Sequence, residues 1–594
     1  MKNIYLLLLG LMLTVNSFAY YTPNTGVKYT MADLVTNSGG HVVFEEGVYK
    51  IISNVFITPN DTLEITTDLT VKFTAGTVLD VNGTLIINPP TNVLFTELVA
   101  GAGYNGVRID SSAGTKINKL TFEYASAFRI ADCSPVITNS IFSNNTTSTT
   151  LGSGAITLFR SAVVIDGCQF LNNKRPAING GSNINNAPKI YNSYFFGNAS
   201  TAALNQPQIN LGATSSGNDT TKIINNQIIG NGQIKSGGIA FLPTGNVYTV
   251  ISGNIIRKNR YGISFNGGSN INSMVSYNVI DSNNIENLPD LGGSGINFTT
   301  GSTGTAQNSI VTGNIFRANL YGITVVGPGG PNVGNTTNTD TSDNGKNQFI
   351  NNVNATYPQA ELYNNGVSTV YAQNNYWNTD LETEAEDKIY HITDNTAKGL
   401  VIYTPIMLSS ALPLKLVSFT ATANNKNVLL GWKTSNEINT NYFVVERSTD
   451  GTGFTQAGTI TANNTATLNT YSYNDYNVLN STLYYRLKIV DKDAKLTYSP
   501  VIKVNAGTSK QPVKIYPTVL TSQQFITAVI YSDDEQKIAI TFIDNNGKKL
   551  AAFNETLTKG SNNIMLPVTA NLPAGTYHIN FTGKNLQQTL SVVK

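Results

Sequence analysis

The sequence predicts an all-β chain: a parallel β-helix solenoid followed by two small β-sandwich domains. Three observations predict it. A short phrase built on asparagine and one large apolar residue recurs through the first two thirds of the chain. A second phrase of glycine, isoleucine, a variable residue and a large apolar residue recurs beside it. After Pro413 both give way to apolar/polar alternation of period two with frequent turns, the signature of antiparallel sandwiches.

The chain has 594 residues, more than one ordinary domain. Its first residues, Met1 to Tyr5, lead into an apolar stretch from Leu6 to Val15, and Ser17-Phe18-Ala19 supplies the small residues that a signal peptidase reads. A signal peptide over 1–19 is therefore expected, with the remainder exported. The apolar stretch is too short to span a bilayer and no later segment is long enough, so no membrane span is predicted. Only 12% of residues are charged and the net charge is +2, which lacks the electrostatic footprint that nucleic acid requires. Two cysteines, Cys133 and Cys168, exclude a disulfide scaffold and a four-thiolate metal site.

The repeat is expected over residues 27–408. Aligned on its last residue, the first phrase places Asn145, Asn173, Asn198, Asn231, Asn259, Asn283, Asn319 and Asn352 in one column. Three positions earlier stand Phe142, Phe170, Phe195, Ile228, Ile256, Ile280, Phe316 and Phe349. Five positions earlier stand Ser140, Cys168, Ser193, Asn226, Asn254, Asn278, Asn314 and Asn347. If each repeat is one turn of a coil, equivalent residues stack at the sheet spacing of about 4.8 Å. The apolar column then fills the interior, and amides, which both donate and accept, bond from rung to rung where stacked carboxylates would repel. Cys168 should accordingly be buried and unpaired. The second phrase, Gly238-Ile239-Ala240-Phe241, Gly262-Ile263-Ser264-Phe265, Gly295-Ile296-Asn297-Phe298 and Gly322-Ile323-Thr324-Val325, supplies another strand per turn. Repeat length varies, so insertions bulge as loops, the longest being the Gly/Asn/Thr-rich stretch from Gly327 to Gly345.

Several segments carry a resemblance to known families. Gly39-Gly40-His41-Val42-Val43-Phe44-Glu45-Glu46-Gly47-Val48-Tyr49 resembles the opening turn of pectate-lyase-like β-helices. Leu63-Glu64-Ile65 through Leu79-Asp80-Val81-Asn82-Gly83-Thr84-Leu85 resembles the first rungs of right-handed parallel β-helix repeat proteins of Bacteroidetes, with Asn374-Asn375-Tyr376-Trp377 and Gly399 to Pro405 similar to their closing segments. Residues 412–506, with Val428 to Trp432, Tyr442 to Arg447 and Tyr484 to Ile489 as strands, resemble a fibronectin-III-like spacer. Trp432 is expected in its core. Residues 513–594 resemble the C-terminal sorting domain of type IX secretion substrates, through Lys514-Ile515-Tyr516-Pro517, the Asp544 to Lys548 hairpin and Leu572-Pro573-Ala574-Gly575-Thr576-Tyr577. Thr518-Val519 stands where that family shows Asn-Pro. The resemblance implies type IX secretion machinery as a partner and an extracellular or outer-membrane-surface location.

The coil's chemistry is less constrained, since β-helices host lyases, hydrolases and adhesins. His41, His391 and His578 are too far apart in the repeat scheme to share a site, which argues against a Ser/His/Asp triad or a multi-histidine zinc centre. No Asp-Asp pair stands in the repeat region, which disfavours an inverting glycosidase. A polysaccharide lyase needs only a base and a cation to neutralise a uronate, and Lys174-Arg175 or Arg257-Lys258-Asn259-Arg260 would serve. No metal ligand set or cofactor is predicted; calcium is left open.

One set of outward positions stands out. Arg257, Asp281 and Arg317 follow the apolar column on consecutive turns, with Ile255, Val279 and Ile315 two positions earlier and Tyr261 and Tyr321 at the next corner. An apolar strip edged by guanidinium groups and tyrosines suits a saccharide. The expected function is binding of polysaccharide or a cell-surface glycan, or adhesion; the alternatives are a lyase on a uronic-acid polymer and a structural stalk.

Overall fold

The computed structural model describes residues 19–201, 205–214, 219–267, 270–288, 293–301 and 306–408, and then 414–424, 427–435, 437, 440–465, 469–476, 478, 482–492, 496–505, 513–516, 520, 525–532, 534–545, 547–567, 575–584 and 586–594. The expected signal peptide falls on 1–18, outside the described residues but for Ala19. The chain forms two compact units that divide between Leu412 and Pro413.

The first unit is a parallel β-helix of three long sheets with 14, 13 and 14 strands. Sheet 1 begins at Ala19–Tyr21, sheet 2 at Val42–Glu45 and sheet 3 at Lys28–Tyr29. Each turn passes from sheet 3 to sheet 2 to sheet 1; one turn runs Val247–Ser252, Ile255–Arg257, Ile263–Gly267. Both sequence phrases are thereby placed: the first forms the corner and strand of sheet 2, the second the strand of sheet 1. The apolar column is interior and stacked, with Phe142, Phe170 and Phe195 at ring-centroid separations of 5.2 and 4.7 Å, and Phe316, Phe349 and Trp377 at 4.9 and 4.5 Å. The start of the coil is closed by the helix Met31–Asn37, capped reciprocally by Thr30 and Asp33. Beside it, the buried Asp61 accepts backbone N–H groups from Asn24, Thr25, Gly26 and Val27 at 2.8–3.0 Å.

Two amide ladders run along the coil. At the corner between sheets 3 and 2, Asn226, Asn254, Asn278, Asn314 and Asn347 each donate Nδ2–H to the Oδ1 of the next, the row ending at Asn375, at 2.9–3.0 Å. The same Oδ1 also takes the preceding asparagine's backbone N–H, and Nδ2 donates again to a carbonyl one turn back, as Asn278 does to Ile251 at 2.9 Å. Every polar atom of a buried amide is thus satisfied. Cys168, in that column, is buried and both cysteines are free.

The second ladder, between sheets 2 and 1, follows Asn145, Asn173 and Asn198, then Asn259, Asn283, Asn319 and Asn352. Here the alignment needs a correction at Asn231, which is exposed. The chain swings out after Ile229 through Gly230 and Gly232 (φ +90°), and the longer amide of Gln208, from sheet 1, fills the vacant rung. Gln208 Oε1 accepts from Asn198 at 2.9 Å and its Nε2 donates to Asn259 at 2.8 Å. The ladder ends on a carboxyl group: Asn352 Nδ2 donates to the buried Glu361 at 2.5 Å.

The second unit holds two separate apolar cores between antiparallel sheets. In the first, strands Lys415–Asn424, Asn427–Ser435 and Asn469–Asp475 make one sheet, and Thr440–Ser448 and Thr482–Asp491 are central to the other. Trp432 lies in this core at 1% exposure, its ring 5.5 Å from that of Tyr471. In the second, Val513–Tyr516, Phe525–Ser532 and Gly560–Pro567 face a four-stranded sheet that ends with Leu586–Val593. Among the described residues no helix is long and apolar enough to cross a membrane.

Candidate functional site

The five residues singled out from the sequence fall in two places. Arg257, Asp281 and Arg317 stand in register on the outer face of sheet 2, with Ile255, Val279 and Ile315 beside them. Arg317 Nη2 pairs with Asp281 Oδ2 at 2.7 Å, and Arg257 is exposed. Tyr261 and Tyr321 are elsewhere, on a cleft over sheet 1. The single platform expected from the sequence is therefore corrected. The residue before each amide of the second ladder, Lys258, Ser282 or Ala318, has φ of +53 to +57° and turns the chain from sheet 2 to sheet 1. Side chains before and after that corner face different sides of the coil.

The cleft has a volume of about 740 Å³. Its floor is the outward column of sheet 1: Asn210, Ala240, Ser264, Asn297, Thr324 and Tyr363, paired rung to rung. Six rungs at about 4.8 Å make a track on the order of 24 Å long. These positions alternate with inward Ile239, Phe241, Ile263, Phe265, Ile296 and Phe298, so the apolar core fixes which residues face the cleft. The floor is small, polar and uncharged until Tyr363.

Aromatic rings stand part-way along the track and at its far end. Tyr261 lies over Gly237, where an added Cβ would come within 2.2 Å of its ring, so only glycine lets the tyrosine lie flat against the sheet. Towards the end of the coil, Tyr321 and Tyr357 each tilt against Tyr363 at 5.3 and 5.4 Å, and Tyr363 stacks on Tyr390 at 4.3 Å. Burial pushes the Tyr261 phenol up to about 12.

Arg260 is the one charged residue among the described lining residues. It is held in place: its Nε bonds to Glu286, which also takes Lys235 Nζ, so two cations share one carboxylate, and its Nη1 donates to Asn205 at 2.5 Å. Burial opposes ionisation of Glu286, but the bonds from Lys235 and Arg260 outweigh it and hold the carboxyl below its usual range. The cleft therefore presents amides, hydroxyls and ring faces around one ion-paired guanidinium.

That inventory limits the chemistry. The described lining residues include no pair of carboxylates for glycosidase acid and base roles. Among the described residues no group of three or more His, Cys, Asp or Glu stands together as a metal site. His391 is buried at the end of the coil, accepting the Val401 N–H at Nδ1 (2.9 Å) and facing Glu386 through Nε2 (3.0 Å), so both nitrogens are committed to structure. Arg260, named from the sequence only as part of a candidate lyase cluster, lines the cleft, and reading the sequence missed Asn297, Tyr357 and Tyr363 as cleft residues. The signal was present in the variable position of Gly-Ile-x-Phe, which is the floor of the cleft at Ala240, Ser264 and Asn297.

The sequence matches no protein family and no curated protein. Among solved structures, dimeric latent PorU from Porphyromonas gingivalis is 11% identical over 33% of this chain and 21% of its own, with a TM-score of 0.14. The FN1-FN3 domains of chicken CNTN1 are 14% identical over 30% of this chain and 64% of theirs, at 0.15. The BSP domain of a biofilm associated protein is 17% identical over 30% and 29%, at 0.13. The chain spans under two thirds of the length of each of these structures, and likeness at such TM-scores does not establish a common fold.

Proposed function

We propose that the protein is a secreted, surface-displayed β-helix that binds a polysaccharide chain of low charge in the sheet 1 cleft. The observation that carries this is the cleft itself: a track with an uncharged floor rich in amides and hydroxyls, a tyrosine ring part-way along it and a tyrosine cluster at its far end. Sugar rings have apolar faces that stack on aromatic rings and a rim of hydroxyls that exchange hydrogen bonds with amides. A polymer is favoured over a single sugar because equivalent positions repeat along the track at the coil's own spacing. The expectation of an acidic glycan gripped by Arg257 and Arg317 is replaced, since those arginines lie on another sheet and Arg260 is already paired with Glu286.

Binding is preferred to lyase chemistry on one physical ground. The one charged residue among the described lining residues, Arg260, is already paired with Glu286, so none of them offers a free cation to neutralise a uronate carboxylate. Delivery to the surface by type IX secretion, through a fibronectin-III-like spacer and a C-terminal sorting domain, belongs to the same proposal; it rests on the resemblances of residues 412–506 and 513–594.

The test is a panel of neutral and uronic-acid polysaccharides offered to the wild type and to Tyr261→Ala and Tyr363→Ala. Neutral chains should bind, and each variant should weaken binding at least tenfold, about 1.4 kcal/mol. Absence of binding to every chain would leave the stalk reading. Growth of absorbance from an unsaturated product would favour the lyase.

A further inference from the structure

Tyr261 sits at a corner that is gripped from the turn before and the turn after. Between sheets 2 and 1 the chain takes the short corner 258–262, flanked by longer ones at 230–236 and 282–293. The three corners meet at one carboxylate. Glu286, from the third, accepts Lys235 Nζ at Oε1 and Arg260 Nε at Oε2. Its side chain is 5% exposed, that of Arg260 11% and that of Lys235 34%. Each cation stands beside a part of the stacking surface. Arg260 immediately precedes Tyr261, and Lys235 stands just before Ser236 and Gly237, the glycine over which the tyrosine ring lies.

We propose that Glu286 is a positioning residue for glycan binding: it clamps the Tyr261 turn to the Gly237 turn and so fixes the ring face that a sugar meets. This role rests on the glycan reading of the cleft, and it falls to a side chain outside the described lining residues.

The main chain already joins the two turns, since Arg260 N–H donates to the Ser236 carbonyl and Gly238 N–H to the Tyr261 carbonyl, both at 2.8 Å. Those bonds set the spacing of the rungs. They leave free the tilt of the corner that carries the ring. A carboxylate removes that freedom, because its two oxygens are rigidly spaced and each holds a cation from a different turn. A buried ion cluster contributes little net stability compared with apolar packing, so its effect lies in the geometry that it selects. The apolar core of these turns is closed without it, Ile239, Ile263 and Ile296 being fully buried. Loss of the clamp should therefore loosen the wall and spare the coil. A stacking contact is sensitive to such loosening, since a binding group must be held to within about 0.5 Å of its productive place.

The experiment is calorimetric titration of the full chain with galactomannan, xyloglucan and dextran, in a double-mutant cycle of Glu286→Gln and Tyr261→Ala. With the polymer that binds the wild type most tightly, Glu286→Gln should weaken binding about fivefold or more in the wild-type background and less than about twofold beside Tyr261→Ala, because a clamp that acts through the ring has nothing to position once the ring is gone. A similar loss in both backgrounds, or none in the first, would overturn the clamp. Hydrogen exchange gives a reading without any glycan: in Glu286→Gln the Arg260 and Gly238 amides should lose protection while that of Asn278 keeps it. Should Glu286→Gln fail to fold, Lys235→Met, which removes the more exposed arm, is read by the same two measurements. If the wild type binds none of the three polymers, the glycan reading fails and exchange alone decides the clamp, with unchanged protection at both amides overturning it.

Discussion

The two amide ladders obey the same hydrogen-bond rule and differ in how strictly they keep it. Between sheets 3 and 2, six asparagines from Asn226 to Asn375 follow one another without substitution, and Asn375 ends by donating to the carbonyls of Val333 and Ala372. Between sheets 2 and 1, Gln208 stands in for the exposed Asn231, and the row ends on Glu361. The irregular ladder is the one that borders the cleft. A corner interrupted by an insertion keeps its amides paired by borrowing one from elsewhere in the chain.

Breaking the regular ladder should have the largest effect. Asn278→Asp removes the donor to Ile251 and to Asn314 and sets a carboxylate against their oxygens. A loss of about 4 kcal/mol is expected, from two unpaired acceptors and one buried charge. Native-state hydrogen exchange at residues 254 and 278 would read it, and unaltered protection would show that the ladder is decorative.

The ionisable end of the second ladder should come next. Burial raises the Glu361 carboxyl from 4.5 to about 7, against the opposing hydrogen bond from Asn352 and the charge of Lys388. Because the folded state then holds the proton more tightly than the unfolded state, the stability this group contributes is complete below about pH 4.5 and is lost as pH rises towards 7. At 1.36 kcal/mol per pH unit the swing is about 3 kcal/mol. Glu361→Gln should flatten that slope in denaturant titrations; a slope that persists would assign it to another group.

Gln208→Ala tests the borrowed rung and should cost about 2 kcal/mol, leaving Asn198 without an acceptor and Asn259 without a donor. Water entering beside the exposed Asn231 and Gly232 would keep the figure below that of the regular ladder, and a larger loss would reverse the ranking. The smallest effect belongs to Arg257→Ala with Arg317→Ala. Exposed pairs of this kind contribute less than about 1 kcal/mol, and neither arginine touches the cleft, so neutral-glycan binding should be unchanged in the panel described above.

Most of the coil was legible because each rung repeats the same constraint. Ile256, Ile280 and Phe316 are interior for the reason that Phe142 is, and Ser143, Leu171, Phe196, Ile229, Arg257, Asp281 and Arg317 follow one register without a break. Asn231 misled because an alignment compares residues at fixed offsets, whereas the fold needs only an amide in the rung, and Gln208 reached it from another strand. The cleft was half legible. Its floor was written in the variable position between two inward apolar residues, but Tyr357 lies in a loop with no repeat to align it. The separation of Tyr261 from Arg257 depended on a corner whose turn is a backbone angle at Lys258, a residue type that does not announce positive φ.

The direction of the ladders has a further consequence. Every side-chain amide donates to the following rung and accepts from the preceding one, so their dipoles point the same way along the coil and add, as peptide dipoles do along a helix. The second row begins with Asn145 Oδ1 accepting the Ala125 N–H and finishes with N–H groups directed at Glu361. Its positive pole therefore falls on the one carboxyl group in the row, and each rung added or removed upstream adjusts how readily that group gives up its proton. Interrupting the row by substitution at Asn283 or Asn319 would tune a buried carboxyl group without touching it.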